Sequence, residues 1–384
     1  MRAVVVGGGI SGPVVGMALR KAGWDAVVLE ARDAPPEGLG DGLALAPNGL
    51  RALDVLGLGD AVRGLGDDIT GLVVRNGAGR VLGELTSDPA MLLVWRGELR
   101  KVLRAEAARR GVRVLHGRRL LHVNEREAVF ADGSRERFDL LVGADGVRSA
   151  VRRYVVPQAR PRYTGVLGFS GNIPFTGQNS TGGKVVLVHG RRGFFGYQVL
   201  EDSSGGWFAH LPSPSALTIA QVRERDPKDW MAELTSVFGE DRGPAVELIG
   251  RTAPDALVLS GALEELDPLP RWSRGNVVLV GDAAHALFPN SGQGVALAVE
   301  DAVELARCVR DLGAAGGVVA FERLRRARVE RIGQMAGRAV RNAVTGPVGR
   351  AVRDLVMPVA IRRVGPSAFP WHRHEIDWDA RVTG

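Results

Sequence analysis

Three carboxylates stand at the ends of apolar runs in glycine-rich turns: Glu30, Asp145 and Asp282. A carboxylate so placed can accept hydrogen bonds from sugar or polyol hydroxyls, and neighbouring glycines let backbone N–H groups approach an anion or an electron-rich ring. Asp282 follows Val277–Val280, and an apolar helical period sets in only after Ser291, Gly292, Gln293 and Gly294, with Val295 its first apolar residue. Asp145 follows Leu140–Val142 in Gly143-Ala144-Asp145-Gly146-Val147-Arg148-Ser149. Bland roles suit the same residues: a packed strand–loop–helix connection for Asp282 and His285, and capping of the helix expected from Gly146 for Asp145.

The amino terminus narrows the choice. Ala3–Val6 reads as a strand, Gly7-Gly8-Gly9-Ile10-Ser11-Gly12 supplies G-x-G-x-x-G, a helix follows to Ala22, and Asp25–Leu29 leads into Glu30. In a dinucleotide-binding unit Gly7 permits the tight turn, Gly9 admits a pyrophosphate to the helix end, Gly12 allows close packing, and Glu30 takes ribose hydroxyls.

These turns need elements to hold them. A chain of 384 residues exceeds one ordinary domain, and 45% hydrophobic content is ample for two cores. We expect an α/β fold: a discontinuous Rossmann-like nucleotide-binding domain over 1–70, 95–165 and 262–317, and an inserted antiparallel β-sheet domain over 71–94 and 166–261. A carboxy-terminal helical segment takes 318–384. Between about Thr164 and Ser260 the period is two, with a helical insert Pro227–Val237, and His189, Tyr197, Phe208 and His210 are its candidates for substrate contact. Ordinary sheet packing competes for each of them. Arg96 opens a helix with Leu99 and Leu103 on one face, and reads either as a surface arginine or as a phosphate contact.

Charge and cysteine usage exclude whole classes. The formal charge is +7, yet only four of 50 basic residues are lysine and most alternate with acids, so no nucleic-acid stripe is expected. Arginine accumulates from Arg323 to Arg363, a solvated helix face or a docking surface for an acidic partner. The single Cys308 rules out a Cys-x-x-Cys redox centre, and the seven histidines have no metal-site spacing. No window of about eighteen residues is apolar enough to span a bilayer. A cytoplasmic monomer or homodimer without membrane, metal or nucleic acid is expected.

Together, GGGISG with Glu30, Arg96-x-x-Leu99-x-x-x-Leu103, GADGVRS and GDAAHALFPNSGQGVALAVEDA resemble the fingerprints of the group A, para-hydroxybenzoate hydroxylase-like flavin monooxygenases, in order and spacing over residues 1 to about 355. The resemblance implies FAD as cofactor, NADPH or NADH as transient co-substrate, and oxygen transfer from O2 through a flavin C4a-hydroperoxide to an apolar, aromatic or polycyclic metabolite. It puts the pyrophosphate on Ile10, Ser11 and Gly12, the adenosine on Glu30, Arg32 and the backbone near Leu121, and the ribityl region on Arg96 and Asp282. Asp145 would serve FAD and NAD(P)H. Pro289 would lie beside the reactive flavin carbon, with Gly292, Gln293, Gly294 and Val295 at the N1 and O2 edge. No general base is assigned. Gly16 and Pro13 depart from the usual residues but still permit a helix start. Two other readings stay open: a same-fold flavin reductase, oxidase or halogenase without oxygen insertion, or a non-catalytic flavin-binding partner protein.

Overall fold

The computed structural model describes residues 1–34, 38, 40–288, 292–340, 346–364 and 369–383, with 336–340 as helical backbone. Its first sheet has six strands in the order Ser273–Arg274, Val277–Leu279, Leu140–Gly143, Arg2–Val6, Asp25–Leu29, Arg113–Leu115. All neighbours are parallel except the short Ser273–Arg274 edge. The interior strands are runs of Val, Leu and Ala with almost no exposed surface, as a parallel sheet covered on both faces requires. Helix Ser11–Lys21 packs on this sheet and against the long helix Gly294–Val340.

A second sheet of eight strands runs Leu257–Glu265, Arg162–Ile173, Gly205–Pro212, Phe194–Val199, Lys184–His189, Asp67–Asn76, Val81–Trp95, Gly42–Leu45. It is antiparallel except where Lys184–His189 meets Asp67–Asn76. One face carries Phe169, Phe195, Tyr197, Trp207, Ala209 and Leu211, covered by Trp230, Leu234 and Phe238 of helix Pro227–Phe238 and by Leu248 and Ile249 of helix Ala245–Arg251. Period-two alternation turns the intervening residues the other way. The insert expected over Pro227–Val237 is thus the backing of that sheet.

Gly313 interrupts the helix Gly294–Val340 with φ 68° and ψ −175°, a backbone conformation that admits glycine easily. Beyond it the chain folds back, bringing Arg325 beside Leu297, Glu300 and Asp301. The residues from Pro370 to Thr383 then wrap this helical pair, with His372 buried against Ser87.

Candidate active site

Parallel neighbours lie about 4.8 Å apart, so the turns after Leu29, Val6, Gly143 and Leu279 make one row along the carboxyl edge of the first sheet. Strand order reverses between Arg2–Val6 and Leu140–Gly143, which opens a crevice there. Close approach is enforced by glycine. A Cβ on Gly7, whose φ is 111°, would sit 2.4 Å from the Ala144 carbonyl oxygen, and one on Gly12 would sit 1.8 Å from the Gly7 oxygen. Gly9 and Gly292 have open space instead. The three widely separated turns meet: Gly281 lies beside Ser11, and Gly294 beside Asp282.

Helix Ser11–Lys21 begins with no acidic residue in its first turn and no side-chain cap from Ile10, so its positive end faces the crevice bare. Glu30, half-buried, accepts from the Gly8 N–H at 2.6 Å and the Arg32 N–H at 2.9 Å. Arg118 N–H donates to the Glu30 carbonyl at 2.8 Å, which carries the chain past exposed Arg32 towards Leu121, itself 66% exposed. Asp282 is exposed at the crevice floor, and its carboxylate has no hydrogen-bond partner among the described residues. Crowding by surrounding protein raises its carboxyl above the usual range, opposed by the nearby charges of His285 and Arg96. Arg96 pairs with Asp41 at 3.2 Å and leaves its Nε without a partner among the described residues. Pro289 lies outside the described residues; Gln293, fully buried, accepts from Asn48 at 3.1 Å.

Asp145 behaves differently from its ribose-binding reading. Its carboxylate accepts from the Ala150 and Val151 N–H groups at 2.6 and 3.1 Å and from the Ser149 hydroxyl at 2.5 Å. The side chain is committed to capping helix Ala150–Val155, because the positive φ of Gly146 turns the chain back over it. What the Asp145 turn gives the crevice is backbone, against Gly7.

A buried ion network underlies the floor. Asp301 accepts from Gly281 N–H at 2.9 Å, from His285 Nε2 at 2.6 Å and from Arg325 Nε at 2.8 Å. Glu300 takes Arg325, Arg328 and Asn48. Burial pushes both carboxyls up, but the adjacent cations win and hold each at about 2. Sequence reasoning missed this network, although the adjacent Glu300 and Asp301 inside the apolar run GVALAVEDAVELA were a signal that the run needed buried cations. The arginine-rich tail, expected to be a solvated helix face or a docking surface, supplies those cations: Arg325 is 2% exposed and Arg328 half-buried.

The other face of the second sheet meets the loop after the first sheet through Phe288. His210 stacks on Phe194 at 5.4 Å between ring centroids, meets Phe288 edge-on at 5.3 Å, and lies 5.8 Å from Phe208. His189 packs on Phe194 at 5.1 Å. Phe288 immediately precedes Pro289, so the aromatic cluster adjoins the Asp282–Gly294 loop. Tyr197 does not join it: the pleat sends Tyr197 to the helix-backed face with Phe195 and Val199, which corrects its assignment to the substrate side. In its place the structure brings two residues that sequence reasoning overlooked, Ser170 and Gln198. Both are buried on the aromatic side, and neither the Ser170 hydroxyl nor either end of the Gln198 amide has a partner among the described residues. Ser170 pairs across the strands with Phe208, and Gly196 leaves room for the Phe208 ring, since a Cβ there would meet it at 2.3 Å. Burial pushes both His189 and His210 down to about 4, with Arg353 adding to the effect at His189, so both rings are neutral at pH 7.

An open glycine cradle, a bare helix end for an anion, and an unpartnered carboxylate for hydroxyls suit a long nucleotide whose far end reaches the aromatic cluster. That combination defines a flavin-nucleotide enzyme. The chain matches the FAD binding domain family over residues 1–172 and 268–332 and belongs to it, among the para-hydroxybenzoate hydroxylase-like, FAD-dependent monooxygenases. It is 32% identical over 317 residues to the aurachin C monooxygenase/isomerase of Stigmatella aurantiaca, covering 80% of each chain. It is 31% identical over 348 residues to the 2-heptyl-3-hydroxy-4(1H)-quinolone synthase of Pseudomonas aeruginosa, covering 86% of each. The fold is similar to that of a Klebsiella pneumoniae HpxO variant crystallised with FAD, with TM-score 0.84, 23% identity, and 97% and 98% of the two chains covered.

Proposed function

We propose that this enzyme uses NADPH or NADH and O2 to oxygenate a bicyclic or polycyclic aromatic metabolite that carries a polar edge, in the cytoplasm. The observation that carries the substrate class is the pair Ser170 and Gln198, at 5% and 4% exposure without partners among the described residues, on the sheet face that also carries Phe194, Phe208 and His210. Buried polar groups are rarely left unpaired. A ligand that offers both an acceptor and a donor, such as a ring carbonyl with a ring N–H, satisfies the Gln198 amide while its apolar remainder lies on the phenyl rings. A 4(1H)-quinolone, the ring system in the name of the Pseudomonas relative, has that pattern.

When bound, FAD supplies the hydride acceptance and oxygen activation that no side chain here can perform. The chain's residues do the rest. Gly7, Gly9, Ile10, Ser11 and Gly12 would receive the pyrophosphate at the helix end, Glu30, Arg32 and the strand at Leu121 the adenosine end, and Arg96 and Asp282 the ribityl hydroxyls. The amides from Gly292 to Val295 would place the positive end of helix Gly294–Val340 where a reduced, anionic ring gains most from it. Phe194, Phe208 and Phe288 would exclude water from the reacting face, and neutral His210 would give or accept a hydrogen bond without adding charge. His189 would extend the same wall.

Reconstitution with FAD, followed by measurement of NAD(P)H consumption with 4(1H)-quinolones and with single-ring carboxylated phenols, tests this reading. Faster flavin reduction with the quinolones is the expected result. Stimulation by the phenols alone rejects the substrate class, and anaerobic multiple turnover with an organic acceptor favours the reductase alternative.

A further inference from the structure

The helix Pro347–Val364 is mounted inside out. Its inward side is polar: buried Arg353 pairs with Asp354 at 2.8 Å and donates to the His189 carbonyl, and Asn76 donates to Asp354 at 2.6 Å. Arg80 reaches the Asp354 carbonyl at 3.2 Å, and Ile361 lies over Gly83 on strand Val81–Trp95. The outward side is apolar. Val348, Val352, Leu355, Val356 and Val359 are 78, 56, 75, 55 and 50% exposed. Positions 348, 352, 355 and 359 follow the spacing of one helical stripe. An amphipathic helix normally buries such a stripe, and isolated exposed Leu or Val would need no explanation, but a contiguous row does.

The charges around the stripe select its occupant. Arg362 and Arg363 are exposed at its end, and exposed Arg191 and Arg192 flank its start, where Arg350 donates to the Arg191 carbonyl at 3.2 Å. Three acids stand nearby. Asp354 turns inward to Arg353, Glu240 pairs with Arg191 at 3.3 Å, and Asp241 accepts from the Arg191 N–H at 3.0 Å, which leaves Arg362, Arg363 and Arg192 to set the charge along the stripe. A second copy of this chain is a poor match. Antiparallel pairing of two stripes sets Arg362 and Arg363 against Arg191 and Arg192, and parallel pairing sets each arginine end against itself, between chains of net charge +7. An anionic lipid surface accepts both features at once, apolar side chains in the acyl boundary and guanidinium groups on the headgroups.

We propose that helix Pro347–Val364 lays the enzyme on anionic membrane surfaces. No helix among the described residues is long and apolar enough to cross a membrane, and this mode requires none: the helix lies in the interface plane. The proposal is independent of the substrate reading above.

Sedimentation of the FAD-loaded protein with vesicles of phosphatidylcholine alone, and of equal parts phosphatidylcholine and phosphatidylglycerol, tests it. The expected result is pelleting with the anionic vesicles only, weakened by salt. Leu355→Glu should lower the bound fraction about ten-fold, and Arg362→Ala with Arg363→Ala should remove the preference for phosphatidylglycerol. Because Leu355 is exposed, unchanged melting temperature shows that the variant folds. Failure to pellet with either vesicle, or undiminished pelleting of Leu355→Glu, overturns the proposal. So does a dimer in sedimentation equilibrium that Leu355→Glu splits while vesicle binding is absent, which assigns the stripe to a second copy.

Discussion

Two buried polar regions lie on either side of the crevice, and they are built on opposite terms. Beneath it, every carboxylate oxygen of Glu300 and Asp301 receives at least one hydrogen bond, from Arg325, Arg328, Asn48, His285 or Gly281. Above it, Ser170 and Gln198 are also buried and receive none among the described residues. A satisfied network rigidifies, whereas an unsatisfied group costs stability until something pairs with it. The lower set therefore belongs to the scaffold, and the upper set to whatever the scaffold holds.

The comparison can be broken at either end. The largest effect is expected at Arg325→Met, which leaves Glu300 and Asp301 buried without their shared cation; loss of about 3–5 kcal/mol in chemical denaturation is expected. A change below 1 kcal/mol would show that the network is not structural. Asp282→Ala should lower FAD retention on dilution by about ten- to a hundred-fold, with little change in the melting temperature of the apoprotein, because no described residue bonds this carboxylate. Unaltered retention removes Asp282 from the site.

Gln198→Leu sharpens the contrast. It should reduce kcat/KM for a quinolone about ten-fold or more while leaving the ligand-free enzyme as stable as before or more so, since an unpaired amide disappears. A destabilised variant would instead place Gln198 in the scaffold. A smaller effect concerns pH. His189 and His210 sit at about 4 when folded against an ordinary value near 6.5, so the unfolded chain binds protons first as pH falls. Their contribution is whole above about 6.5 and is lost between there and about 4. His210→Phe should flatten part of that slope in a melting series, and an unchanged slope would deny His210 its buried, neutral state. Tyr197→Phe, on the helix-backed face, should leave turnover unaltered; a substantial loss would return Tyr197 to the substrate side.

The same contrast explains what could be read from the chain. Glycine turns announce themselves, because only a few residue types tolerate a positive φ or a neighbour's carbonyl within 3 Å; Gly7 and Gly12 are such positions, and so the crevice was legible. The doubly covered parallel strands were legible for a similar reason, as unbroken apolar runs. Which face of an inserted sheet looks inward was not. The run Phe194–Val199 is FFGYQV, and only the backing by Phe238 and Trp230 determines that Phe194 and Gln198 face the site while Phe195 and Tyr197 do not. The Asp301–Arg325 pairing was likewise invisible, because it depends on the reversal at Gly313 and not on local spacing.

That reversal also orders assembly in time. The Gly281 N–H is fixed by Asp301, and Asp301 gains its arginine partner only after the chain beyond Gly313 has come back with Arg325. A polypeptide emerging amino terminus first can thus form its glycine-rich turn early, yet the cradle stays unfinished until nearly the last helix arrives. Cofactor capture is then a closing step of maturation, and added FAD should accelerate only the final phase of refolding.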